Sequence, residues 1–343
     1  MVGARPQFIK AAALSAAFSN STASEEVLLH TGQHYDYAMS EIFFKELGIA
    51  EPRWNLNIGG NSHGAMTGRM LESIEKVILD YNPDMVLVYG DTNSTLAGAL
   101  AAVKLKVPIA HVEAGLRSFN FYQPEEINRV LTDRVSKLLF CPTEVAVSNL
   151  EMENSIGDIH NVGDIMYDSI LLARKLGENR GNPVADGLSL KPSGYNLVTL
   201  HRQENVDDRQ RLGTVIAHIL EHSGDLPIVF PIHPRTAKQM DKFDMPLDNF
   251  IRIEPVGYLD MVMLLQDANC IFTDSGGLQK EAYFCDTRCV TLRDETEWVE
   301  TVETGHNRLW TTPDFKPLRQ ERLYGDGNAA GKIVSIVESF LSQ

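Results

Sequence analysis

The stretch at residues 85–113, MVLVYGDTNSTLAGALAAVKLKVPIAHVE, decides the fold. It opens on a short apolar run (MVLVY, 85–89), passes through a helix-length segment at 93–104, and returns to an apolar run (IAHVE, 109–113). Strand, helix and strand at this pitch predict a parallel sheet covered by helices on both faces. Working outward, the apolar run at 138–141 predicts the next strand, with a helix from about Glu144. Residues 162–164 lead into a helix ending near Lys175, and 177–192, rich in Gly, Pro, Asn and Asp, suits a linker or an exposed loop. A second alternating series follows, with strands at 196–200 (NLVTL), 228–232 (IVFPI), 251–254, 270–273 and 289–292. Residues 328–341 carry Ile333, Val334, Ile336, Val337, Phe340 and Leu341 at helical spacing. Two α/β domains therefore meet near 165–195, as 343 residues suggest. Only Met1 and Val2 precede the turn at Gly3, so the first strand is very short or the chain begins late relative to the full gene product.

Composition narrows the function. Lys+Arg is 31 against Asp+Glu 46, a net charge of -15, the opposite of the balance a phosphate-gripping nucleic-acid binder shows. No run of about 18 apolar residues exists to span a membrane, and no basic start with an apolar core signals secretion. Cys141, Cys270, Cys285 and Cys289 lack the spacing of a zinc site and read as free thiols in a reducing cytoplasm.

In open α/β sheets ligands bind beyond the C-terminal ends of strands. There this chain is polar: Gly90-Asp91-Thr92-Asn93, His111 with Glu113, His201-Arg202-Gln203-Glu204, His233-Pro234-Arg235 and Asp274-Ser275-Gly276-Gly277. A helix cap or solvated loop explains any single case, but five together point to one ligand. Thr273–Gly277 suits an anion at a helix N-terminus, with two glycines allowing close approach, and Glu281 lies one turn on, where acids bind ribose. A tight capped turn fits the same residues. Neither G-x-x-x-x-G-K-[ST] nor G-x-G-x-x-G occurs, which excludes a P-loop and disfavours a dinucleotide oxidoreductase. Arg5 and Lys10 sit in and after the first turn, where both could meet a diphosphate. Asp91, Glu113 and Glu125 are carboxylates on successive strand-end segments, and like charges brought together split their pKa values, as proton abstraction and return require. Glu125 follows Pro124, so a plain helix start accounts for it as well.

These segments resemble the non-hydrolysing UDP-N-acetylglucosamine 2-epimerases. The matching stretches are 3–10 (GARPQFIK), 31–36 (TGQHYD), 90–95 (GDTNST), 111–117 (HVEAGLR), 124–129 (PEEINR), 201–204 (HRQE), 273–277 (TDSGG) with Glu281, and 293–297 (RDETE), in family order over nearly the whole chain. The resemblance implies two Rossmann-like, doubly wound domains facing across a cleft, the GT-B-like fold. It divides the chain into 1–165, 166–325, and a C-terminal helix at 326–343 that returns to the first domain. It implies UDP-sugar binding by Arg5, Lys10, Gln33, His34, Arg129, Arg202, His233, Ser275, Gly276, Gly277 and Glu281, and acid–base work by Asp91, Glu113, Glu125 and His201. Gln33, Arg69 and His233 are also compatible with the second, activating UDP-sugar of some bacterial members. A homodimer, no metal and no cofactor are expected.

The implied reaction inverts C2 of UDP-GlcNAc to give UDP-ManNAc, by elimination of UDP to a 2-acetamidoglucal and re-addition. Two departures bear on the sugar: Gln7 stands where relatives carry Glu, and Thr296-Glu297-Trp298 where they carry Thr-Glu-Arg. The latter resembles a subgroup that includes UDP-2,3-diacetamido-2,3-dideoxy-glucuronate 2-epimerases, whose uronate would need a basic partner such as Arg202, Arg293 or Arg308. A GT-B glycosyltransferase using a UDP-sugar shares the architecture, since fold alone does not fix function.

Overall fold

The computed structural model describes residues 1–33, 44, 46–60, 62–178, 180–245, 247–319 and 321–343. They divide into two compact units, Met1–Leu172 with Arg322–Gln343, and Ala173–Glu321.

In the first unit, strands β1 (Leu29–His30) and β2 (Trp54–Asn55) pair in parallel. A second parallel ladder runs β3 (Val86–Tyr89), β4 (Ile109–Val112), β5 (Leu138–Cys141) and β6 (Asp158–Asn161). The first two residues join them, because Val2 bridges His30 in parallel and the Met1 backbone nitrogen donates to the Leu87 carbonyl at 2.8 Å. The spatial order is therefore β2, β1, Val2, β3, β4, β5, β6, and it reverses between Val2 and β3. The helix Asn93–Lys104 is alanine-rich and packs closely on the helix His63–Tyr81, burying Met70, Ile74, Val88, Ala97 and Ala101. Thr92 caps it, accepting from the Thr95 amide. The C-terminal helix Ala329–Leu341 packs on the first helix, Arg5–Ser19. Its start is held by Asp168, whose carboxylate accepts from the Ala329 and Ala330 amides at 3.1 and 2.9 Å.

The second unit is a six-stranded parallel sheet: β7 (Asn196–Thr199), β8 (Ile228–Pro231), β9 (Phe250–Ile253), β10 (Cys270–Thr273), β11 (Arg288–Thr291) and β12 (Asn307–Leu309). Its order, β9-β8-β7-β10-β11-β12, is that of a nucleotide-binding doubly wound sheet, reversing between β7 and β10. Part of the segment read as a linker or loop is helical: Asn182 caps the one-turn helix Pro183–Gly187 and donates to Asp267 at 2.8 Å. Burial pushes the free thiols of Cys141, Cys270 and Cys285 up to about 12, and that of Cys289 well up. Among the described residues no helix is long and apolar enough to cross a membrane.

Candidate active site

Each sheet reverses its strand order once, and Gln7, Asp91, His201 and Asp274 follow the strand ends that flank those reversals. In the first unit those ends are Val2 and β3. Gln7, fully buried, ties them together: its carbonyl accepts from the Gly3 and Ala4 amides, and its amide donates to the Tyr89 carbonyl and the Thr92 and Thr95 hydroxyls, at 2.8–3.0 Å. Lys10, three residues on, pairs with the Glu113 carboxylate, and both side chains are only 10% exposed. A Cβ on Gly90 would lie 3.1 Å from the same carboxylate and 3.5 Å from the Lys10 ammonium. Glu113 itself has φ +71, a left-handed backbone that costs a side-chain-bearing residue about 1–3 kcal/mol.

A buried polar chain brackets Glu113, tying down residues on either side of it. His111 Nε2 meets the Gly90 carbonyl at 2.7 Å and His111 Nδ1 meets Asp133 at 2.6 Å. Asp133 also accepts from the Gly115 amide and from Arg117, and Arg117 reaches on to Glu153 through two bonds of 2.7 Å. Burial alone would raise the Asp133 carboxyl, but His111 and Arg117 outweigh it and hold the pKa below the ordinary range. Asp91 pairs with Arg129, which also binds Glu126 at 2.7 Å. Burial opposes the Arg129 charge, yet the two acids prevail and raise its pKa.

The helix Pro124–Val135 separates its two adjacent glutamates. Glu126 is fully buried and accepts from the Ser118 and Phe119 amides at 2.9 and 2.8 Å, whereas Glu125 is exposed in the first turn. Gln33 accepts from the Ser94 amide and hydroxyl, at the start of the Asn93–Lys104 helix. Arg5 and Arg69 are exposed on their helices. His34 lies outside the described residues.

In the second unit, Asp274 organises the reversal between β7 and β10. Its buried carboxylate accepts from the His201 and Arg202 amides at 2.9–3.1 Å and meets His201 Nδ1 at 3.1 Å, which leaves Nε2 facing away from it. The His201 contacts and the Arg202 amide overcome the effect of burial and keep Asp274 below the ordinary carboxylate range. His233 caps the helix Pro234–Phe243, and burial, then the His201 and Arg235 charges, lowers its pKa. Ser275 caps the helix Gly276–Phe284 by accepting from the Leu278 amide, and Gly276 follows with Glu297 close above it. Glu281 is buried one turn on, Gly277 is exposed, and Arg293 holds Glu297 at 2.7 Å. Arg308 is elsewhere: it stands opposite Val290 within the sheet and donates to the Leu309 and Thr312 carbonyls. It is therefore a poor partner for a sugar carboxylate at the strand ends. Asp133, Glu126, Gln7 and Asp274 position the rest without having been singled out for that work. Asp274, Gln7 and Glu126 lie within quoted motif stretches, whereas Asp133 lies outside them all.

A family profile described as UDP-N-acetylglucosamine 2-epimerase matches residues 16–338. A UDP-N-acetylglucosamine 2-epimerase homolog from Methanococcus maripaludis is 50% identical, the alignment covering 99% of this chain and 98% of that protein. The UDP-2,3-diacetamido-2,3-dideoxy-D-glucuronate 2-epimerase of Pseudomonas aeruginosa is also 50% identical, covering 97% of each. The crystal structure of Methanocaldococcus jannaschii UDP-GlcNAc 2-epimerase in complex with UDP-GlcNAc and UDP superposes with a TM-score of 0.83, at 42% identity over 98% of both chains.

Proposed function

The chain belongs to the UDP-N-acetylglucosamine 2-epimerase family, isomerases of GT-B-like fold, and from that premise we propose that it interconverts UDP-GlcNAc and UDP-ManNAc by elimination and re-addition of UDP. The C2 proton of the sugar has no neighbouring carbonyl to acidify it, so direct deprotonation fails. In the elimination a base takes that proton, the C1–oxygen bond to UDP breaks, and the electron pair forms the C1–C2 double bond of a 2-acetamidoglucal. Re-addition reverses each step with the proton delivered to the opposite face. The chemistry needs two proton carriers, each contributing about 10²–10⁴-fold, and stabilisation of the departing diphosphate.

Asp91, Glu113 and Glu125 are the proton carriers in this reading, and His201 assists at the leaving diphosphate or the sugar. Arg5, Lys10, Ser275, Gly276, Gly277 and Glu281 bind UDP, with Gln33, His34, Arg129, Arg202 and His233 around the substrate. The observation that carries it is Glu113: a carboxylate on left-handed backbone, braced by a buried polar chain and charge-paired to Lys10. Strain of this kind persists where surrounding structure enforces it for a task. Turnover in D₂O tests the reading by NMR. The product should carry deuterium at C2, and a product that keeps protium there sinks the mechanism.

A second substrate has specific support. The 50% identity to the diacetamido-glucuronate epimerase and the Thr296-Glu297-Trp298 pattern favour a uronate, with Arg202 and Arg293 as partners for its carboxylate. Parallel assays of both UDP-sugars separate the two by kcat/KM. The buried free thiols suit a reducing compartment, and we take the enzyme to act in the cytoplasm as a homodimer, which sedimentation of the purified protein checks.

A further inference from the structure

The six-stranded sheet has a second polar hollow, at the opposite end of its strands. Cys270 and Arg288 begin β10 and β11, whereas Asp274 and Ser275 follow the end of β10. A four-residue strand puts roughly 13 Å between the two ends. A cavity of about 440 Å³ opens there, and its polar lining is Arg288, Arg308, Lys316, His222 and Asp314.

Arg308 is the unusual member. It is only 4% exposed, and among the described residues no acid pairs with it. Its Nη1 donates to the Thr312 and Leu309 carbonyls at 2.5 and 3.3 Å. Among the described residues Nε and Nη2 make no hydrogen bond. Those two N–H groups form the side of the guanidinium that grips two oxygens of one oxyanion. Leaving a buried charge without a counter-charge is strongly unfavourable, so the fork calls for an anion.

The surroundings supply one only in part: Asp314 favours the Arg308 charge, but burial outweighs it. Asp314 forms no ion pair with Arg288 or Arg308 among the described residues, and Lys316 is held by Glu303 at 2.5 Å. Arg288 and Arg308 both lie over the Phe315 ring, at 4.9 and 5.4 Å from its centroid, which fixes two guanidiniums at one wall. Beside them His218 Nε2 is buried without a partner. Burial first, then the charges of His222 and Arg308, lower that imidazole to about 4, so it adds no positive charge at neutral pH and competes for no anion. Phe272, Val290 and Phe315 make the rest of the wall apolar.

We propose that this hollow binds a small phosphate monoester with an apolar body, its phosphoryl oxygens on the Arg308 fork and Arg288, at a site separate from the nucleotide end of the same sheet. The test is calorimetric titration of phenyl phosphate into the full chain saturated with UDP. A prior UDP titration reports any failure of nucleotide binding separately. Phenyl phosphate should bind, and more tightly than inorganic phosphate. Arg288→Gln, at an exposed position, and Arg308→Lys, which keeps the charge and loses the fork, should each weaken it by about tenfold or more while UDP affinity stays unchanged. Absence of binding to the UDP-saturated protein overturns the proposal, as does binding that Arg288→Gln leaves intact. Inorganic phosphate binding as tightly as the ester overturns the organic ligand. If circular dichroism shows Arg308→Lys unfolded, Arg288→Gln alone decides.

Discussion

Asp133 shows how much a single side chain can govern at the residue scale. It is buried, and it joins His111, Arg117 and the Gly115 amide behind the Glu113 turn. Asp133→Asn keeps the shape and removes the charge, leaving the Arg117 guanidinium short of a buried acid and changing what His111 Nδ1 meets. The expected loss is about 3–5 kcal/mol, read from the urea midpoint, together with reduced turnover. The acid behaviour has a definite sign. The folded pKa of Asp133 is depressed, so its stabilisation is complete above the unfolded value of about 3.9 and disappears as pH falls through the lower folded value. Wild type should therefore lose stability steeply below about pH 4, and Asp133→Asn should show a shallower acid limb in the same denaturation series. Identical limbs would contradict the assignment. The sequence displays Glu113 plainly because it ends a strand, but Asp133 lies twenty-two residues from His111 on a helix interior, and no local pattern connects the two.

At the scale of elements, two glycines separate fold from ligand approach. Gly115 has φ +79, and a Cβ there would come within 2.3 Å of the Ala146 carbonyl in the helix Glu144–Met152. That neighbour is backbone and cannot step aside. Gly115→Ala should lose at least about 1–3 kcal/mol, measured by chemical denaturation. A Cβ on Gly276 would meet the Glu297 carboxylate at 2.3 Å, which is the far end of a long side chain rather than backbone. Gly276→Ala should keep stability within about 1 kcal/mol while raising KM for the UDP-sugar, because the methyl occupies the approach to the helix N-terminus. The buried strands were legible within about a residue, since parallel strands covered on both faces are continuous apolar runs. The edges were not. β6 reads DIHN, exposed at both ends, and β12 is three residues with an arginine in the middle, so neither has an apolar run to announce it. Pro183 and Asn182 in a segment that looked like linker chemistry are instead the start and cap of a short helix.

For the molecule as a whole, variants should sort by unit. Asp91→Asn, in the first, should leave UDP affinity as it is and cut turnover by at least ~10²-fold. Gly276→Ala, in the second, should weaken UDP before it affects kcat, and calorimetry beside steady-state kinetics reads both. Loss of UDP binding in Asp91→Asn would place the nucleotide against the carboxylates in a way this assignment does not allow. The alternation of strands and helices made two α/β bodies readable, yet spacing alone could not say which body the last helix joins. That helix seals the first one: it covers Arg5–Ser19, and its opening turn is anchored on Asp168. The Arg5–Ser19 helix therefore gains its cover only after residues 329–341 have been made. A nascent chain stalled near residue 321 would leave that helix's buried face uncovered and would be a natural client for chaperones.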